Sequence, residues 1–144
     1  ESKVTNSRTA DQDRAIKRRR KCVDCTKRFT TYERVELVGL EIVKRNDSRE
    51  LYYRHKMELG LRKALEKRPF TEDQIQKLVS RIESGIFNRE KDVVTTEEIG
   101  QLVLSELRAF DKVAYLRFAS VYRNFRSPKA FEKEIQKLAK QVAK

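Results

Sequence analysis

Three stretches of the chain predict an α+β protein of two modules. Five consecutive cations, Lys17 to Lys21, run into a Cys-x-x-Cys at Cys22 and Cys25. Residues 35 to 53 are rich in β-branched and large apolar side chains, and from His55 onward the apolar residues recur with helical spacing. The first stretch gives a small basic knuckle, the second a hairpin, and the third a bundle of four helices with a tail.

The cations of the knuckle are concentrated. Of the net charge of +12 on 144 residues, +6 falls within residues 1–34 and +6 on the remaining 110. That asymmetry points to a dedicated anion-binding module ahead of a more ordinary globular part. Residues 1–34 carry only isolated apolar side chains, Val4, Ile16, Val23 and Phe29. Such a segment buries too little surface to offset its chain entropy unaided, and a metal ion would supply the difference. Two thiols two residues apart can reach one metal, but a tetrahedral zinc takes four ligands. The single histidine, His55, lies in a different kind of segment. Either the site is absent or a first pair of ligands precedes Glu1, and the second is the expectation, with one zinc held in part by Cys22 and Cys25.

Next come the strands. Val35, Leu37 and Leu40–Val43 read as extended, Asn46-Asp47-Ser48 as a turn, and Leu51-Tyr52-Tyr53 as a returning strand. Lys44 and Arg45 then stand beside the turn. Met57, Leu61, Ala64 and Leu65 form the first helical stripe, which Pro69 stops. Thr71-x-x-Gln74 is a capping box ahead of Ile75, Leu78, Val79 and Ile82, with Gly85 as the expected stop. A second box, Thr95-x-x-Glu98, precedes Ile99, Leu102, Val103 and Leu107. Asp111 caps a fourth helix carrying Ala114, Tyr115, Phe118, Val121, Tyr122 and Phe125. Ser127-Pro128 opens a tail helix with Phe131, Ile135, Leu138 and Val142 on one face.

Three constellations carry chemistry. Lys17, Arg18, Arg19, Arg20, Lys21, Lys27 and Arg28 flank the thiols, and arginine forks bind phosphates and guanine edges. Val43-Lys44-Arg45-Asn46, with Glu50 and Lys56, gathers cations that can hold a small polyphosphate, and Glu50 can accept from a ribose hydroxyl; a solvated hairpin tip is the alternative. Tyr115, Phe118 and Tyr122 form an aromatic stripe that serves either as core or as a ligand platform. There is no Gly-x-x-x-x-Gly-Lys-Ser/Thr and no Gly-x-Gly-x-x-Gly. No catalytic dyad is visible in sequence, so binding is expected rather than an enzyme. No apolar run approaches the ~20 residues that cross a bilayer, and a soluble intracellular protein is expected.

At these places the sequence resembles the NrdR family, bacterial repressors of ribonucleotide reductase genes. Ala15-Ile16-Lys17-Arg18-Arg19-Arg20-Lys21-Cys22-x-x-Cys25 with Arg28-Phe29-Thr30-Thr31-Tyr32-Glu33 resembles the family's zinc ribbon. Val43-Lys44-Arg45 and Arg117-Phe118-Ala119-Ser120-Val121-Tyr122-Arg123 resemble the opening strand and closing helix of its ATP-cone. Asn6-Ser7-Arg8 and Glu66-Lys67-Arg68-Pro69 fit as well.

The resemblance implies a zinc-ribbon DNA-binding domain over 1–36, an ATP-cone over 37–131 and a helical tail over 132–144. It implies that Lys17, Arg18, Arg19, Arg20 and Arg28 contact operator boxes in double-stranded DNA and that Cys22 and Cys25 are half of a zinc site. Val43, Lys44, Arg45, Asn46, Glu50, Lys56, Tyr115 and Tyr122 would line a site for ATP or dATP, whose occupancy sets a homo-oligomeric state in the bacterial cytoplasm, at the nucleoid. The family's Lys-Arg-Asp-Gly turn is here Lys44-Arg45-Asn46-Asp47, without the glycine. A detached allosteric cone of a reductase-like enzyme, and a zinc-ribbon RNA-binding protein, are the alternative readings.

Overall fold

The computed structural model describes residues 1–10, 15–35, 37 and 39–140. It divides into two compact units, Glu1–Val38 and Gly39–Lys144.

The first unit is an antiparallel sheet of β1 (Ser2–Ala10), β2 (Ala15–Cys22) and β3 (Arg28–Arg34), in that spatial order. Its long strands exceed what the sparse apolar residues suggest. Threonines at 5, 9, 30 and 31 and the aromatic Phe29 and Tyr32 suit a pleated, half-exposed surface, so ladder hydrogen bonds organise a segment that has little core. Ala15 is the one buried apolar residue of this unit among those described. A bulge between Val4 and Asn6 leaves Thr5, whose hydroxyl donates to the Arg19 carbonyl at 3.2 Å. Between β2 and β3 the Cys22 amide donates to the Lys27 carbonyl at 2.9 Å, and Thr26 takes a left-handed φ of 58°.

In the second unit β4 (Glu41–Val43) and β5 (Arg49–Leu51) form the expected hairpin. Val35 and Leu37 lie outside any strand, and Tyr52 and Tyr53 lead into the first helix rather than extending β5. A strand not foreseen from sequence, β6 (Val93–Thr95), runs parallel to β4 and pairs Ile42 with Val94. Three residues are too few to show a period.

The helices are α1 (Arg54–Ala64), α2 (Glu72–Phe87), α3 (Thr96–Phe110), α4 (Lys112–Tyr122) and α5 (Pro128–Lys140). Both capping boxes form, with Thr71 and Thr95 accepting from the amides of Gln74 and Glu98. Asp111 caps α4 through the Ala114 amide at 2.7 Å and holds Arg68 at 2.7 Å, tying the Pro69 loop to that helix start. Leu61, Leu78, Val79, Ile82, Ile86, Val103, Leu107 and Ala119 close the core.

Two expectations change here. Gly85 does not stop α2, which continues to Phe87; a Cβ at 85 would stand 3.1 Å from Leu102 Cδ2, so this glycine lets α3 approach. On α5, Leu138 is buried, but Phe131 and Ile135 are 40% and 49% exposed, and the face turned inward carries Glu134. Val142 lies outside the described residues.

The second capping box is electrostatically reinforced. Glu98 accepts from the Thr95 amide at 2.8 Å and pairs with Lys91 and Arg89 at 3.0 and 2.9 Å, which brings its carboxyl from 4.5 down to about 2. Because the folded value is depressed, this stabilisation is full above the ordinary carboxylate range and is lost as pH falls toward 2. Thr95→Ala should cost about 1 kcal/mol in urea denaturation at neutral pH; an unchanged midpoint would show that the box adds nothing to the helix.

Candidate nucleotide and nucleic-acid sites

At the hairpin tip the structure gathers most of the cations and acids singled out from sequence. The Asn46 Oδ1 accepts from the Ser48 amide at 3.1 Å and from its hydroxyl at 2.6 Å, closing the turn. Asp47 then adopts a φ of 61°, the left-handed conformation that glycine would supply more cheaply and that aspartate tolerates. Asn46 is thus a turn-forming residue, with its oxygen already used.

Lys44 from the turn and Lys56 from α1 converge on the same oxygen of Glu50, at 2.8 and 2.9 Å. The Lys44 and Lys56 hydrogen bonds hold the Glu50 carboxyl below its ordinary value. Arg45 reaches the other way. Its Nε donates to Glu97 at 2.8 Å and a terminal nitrogen to the Tyr122 carbonyl at 2.9 Å, with the guanidinium 5.3 Å from the Tyr122 ring. The bond to Glu97 raises the Arg45 pKa further. The Tyr122 hydroxyl donates to the Glu97 carbonyl at 3.1 Å. The Val43 carbonyl is fixed by the Thr96 hydroxyl at 2.9 Å, so the first turn of α3 positions both strand and arginine.

Below Tyr122 a cleft of about 710 Å³ runs between α1 and α4. Gly60, Ala64 and Phe118 give it apolar lining, Lys63, Lys67 and Glu66 add charge, and Arg117 donates to the Ala64 and Glu66 carbonyls at 3.3 and 2.6 Å. Phe118 stacks on Tyr122 with ring centroids 5.9 Å apart. Apolar lining edged by an aromatic ring and lysines suits a flat heterocycle.

Tyr115 departs from the expectation. It is fully buried, and its hydroxyl donates to Glu134 Oε1 at 2.5 Å while accepting from Arg108 at 3.1 Å. It belongs to the contact between α4 and α5, seven residues before Tyr122 on the helix, and the aromatic stripe divides accordingly into a core end and a cleft end. Glu97, Thr96 and Gly100 were not foreseen. Glu97 reads in sequence as an ordinary first-turn acid, whereas Gly100 inside a helical stripe was a signal, since glycine there costs about 1 kcal/mol.

In the first unit the basic run is split by the strand. Arg18 pairs with Glu33, and Arg20 donates to the Thr31 hydroxyl at 3.3 Å and to Ser2 at 3.0 Å. Lys17, Arg19 and Lys21 alternate with them, and Arg28 sits across from Lys21. Cys22 is partly exposed and Cys25 exposed, and the backbone N–H of Cys25 draws the Cys22 thiol below its ordinary value. The zinc expectation is corrected. Among the described residues no three of His, Cys, Asp or Glu converge, and two thiols fall short of a tetrahedral donor set.

Among the described residues no helix is long and apolar enough to cross a membrane. Residues 40–128 match the family described as ATP cone domain, and residues 1–33 the family described as transcriptional repressor NrdR-like, N-terminal domain. The chain is 47% identical to a protein named transcriptional repressor NrdR from Agathobacter rectalis, over 95% of this chain and 91% of the relative. Proteins of the same name from Alkaliphilus metalliredigens and Lachnoclostridium phytofermentans are 46% and 45% identical, over 98% and 95% of this chain and 91% and 90% of theirs.

Proposed function

Because the chain belongs to the NrdR family of transcriptional repressors, we propose that it represses ribonucleotide reductase genes in response to ATP and dATP. It is a regulator and not an enzyme. The observation that carries this reading is the presence in one chain of both an NrdR-like N-terminal domain and an ATP cone. Residues 1–36 would serve as the DNA-binding domain, 37–131 as the nucleotide domain and 132–144 as the tail.

Nucleotide phosphates would exchange with the acids that now hold the cations. Lys44, Lys56 and Arg45 are each 44% exposed or more, and ion pairs so exposed add little to stability. A polyphosphate carries more charge than Glu50 or Glu97 and would draw these side chains to itself, freeing Glu50 to accept from a ribose hydroxyl. The heterocycle would lie against Tyr122 and Phe118. Bound nucleotide shifts the balance of homo-oligomeric states only as far as its affinities for those states differ. Operator boxes in duplex DNA would then be engaged by some assemblies and not others.

Calorimetry of ligand-free protein with ATP and dATP, with light scattering and operator binding on the same samples, tests this. Micromolar binding of both, with a change in assembly size and in operator affinity, is expected. Absence of nucleotide binding would remove the sensing function, and nucleotide binding without any effect on operator affinity would leave only a detached cone.

A further inference from the structure

We propose that one face of the three-stranded sheet is the surface that docks on double-stranded DNA, and that Lys3, Arg8, Lys21 and Arg34 are contacts alongside Lys17, Arg19 and Arg28. The proposal rests on the DNA-binding reading above and deepens it.

Residues paired directly across strands share a face, and successive residues alternate. Lys3 pairs with Lys21 and Arg8 with Lys17, while Lys21 pairs with Arg28, Lys17 with Tyr32, Arg19 with Thr30 and Ala15 with Arg34. All seven cations therefore lie on one side of the sheet, and none of the residues that β1, β2 and β3 place on that side is acidic. Lys3, Arg8, Arg19, Lys21 and Arg28 are exposed. The other side carries Arg18 and Arg20, and both are occupied within the sheet, by Glu33 and by Thr31 and Ser2. They pin the strands together, and the five exposed cations stand on the opposite face.

The five exposed cations on this small face repel one another, an arrangement that a polyanion relieves. The geometry favours a duplex over single strands. Cations two residues apart lie roughly 6.6 Å apart along a strand and about 4.8 Å from those on the next. This forms a sheet-sized grid of charge of the kind that β-sheet readers bring to a DNA groove. Single-strand binders need aromatic faces on which bases stack. The aromatic side chain of this face, Tyr32, is covered by the Lys17 ammonium at 5.3 Å and the Arg34 guanidinium at 4.2 Å from its ring centroid. Double-stranded RNA presents a major groove too deep and narrow for such a sheet.

The test uses the full chain and a duplex spanning a ribonucleotide reductase promoter, titrated with salt, against R8Q/K21Q and the charge-matched pair R18Q/R20Q. Losing two phosphate contacts should reduce the log–log salt slope of R8Q/K21Q by about 1.8 and weaken binding uniformly across sequences. Its melting temperature should stay close to that of the unaltered protein. R18Q/R20Q should melt at a lower temperature and change the slope by less than half as much. If R8Q/K21Q keeps the full slope, or R18Q/R20Q loses more of it, the face assignment is wrong although the protein binds DNA. Binding that prefers a single strand of the same sequence, or duplex RNA, also overturns the face argument. If the unaltered protein shows no salt-dependent duplex binding, the DNA reading itself fails and the face with it.

Discussion

Gly100→Ala should weaken ATP and dATP binding at least tenfold while leaving the fold close to its original stability. A Cβ at position 100 would stand 2.1 Å from Tyr122 Cε2 and 2.2 Å from Cζ, so the ring has to leave the surface of α3. With it goes the hydroxyl's bond to the Glu97 carbonyl, and the ring beside which Arg45 is held. Arg45, Glu97 and Tyr122 position one another, and displacing the ring disorganises a mutually supporting set. The stability terms nearly cancel. Alanine in a helix interior gains about 1 kcal/mol over glycine, while one partly exposed hydrogen bond is worth about as much. The measurement is calorimetric affinity beside urea denaturation on the same preparation. Unaltered affinity would remove Tyr122 from the nucleotide site, whereas a large loss of stability would show that Gly100 serves packing alone.

Gly85 and Gly100 show what sequence could and could not convey. Both interrupt helical stripes, and sequence treated the first as a stop. In the fold neither ends a helix; each admits a neighbour, Leu102 for Gly85 and Tyr122 for Gly100. Which neighbour arrives is a tertiary fact that no period encodes. The capping boxes were legible because donor and acceptor lie three residues apart, within one turn. Lys44, Arg45, Glu50 and Lys56 were legible as a cluster because a hairpin brings near sequence neighbours together. The partners of Arg45, Glu97 and Tyr122, lie 52 and 77 residues away and had to await the fold. The split of the basic run between two sheet faces follows from a period of two. It is masked in sequence because five like side chains in a row show no apolar alternation.

The tail helix provides the second large effect. Glu134→Ala should destabilise the protein by about 2–3 kcal/mol, the range for lost hydrogen bonds to a charged group. Glu134 is 4% exposed and accepts from the Tyr115 hydroxyl at 2.5 Å and from Arg123 at 2.9 Å, with the Lys137 ammonium at 3.7 Å. Arg123 is 31% exposed and can turn to water, which keeps the cost below that of breaking a fully buried pair. Tyr115 has no such escape, and its hydroxyl would lose the acceptor it donates to. Burial pushes the Glu134 carboxyl up, but the Tyr115 bond and the charges of Arg123, Lys137 and Arg108 outweigh it and leave it below 4.5. The stabilisation is therefore full above the ordinary carboxylate value and drains away as pH falls below it. Glu134→Gln preserves shape and an acceptor for Tyr115 but cannot titrate. It should lose less than the alanine variant at pH 7 and show a shallower decline in stability between pH 5 and pH 3. Urea denaturation of the three proteins across that range decides the matter: parallel pH profiles for the glutamine variant and the unaltered chain would show that the charge on Glu134 adds nothing and that its neutral hydrogen bonds, with Leu138 and the Phe125–Phe131 contact, hold α5.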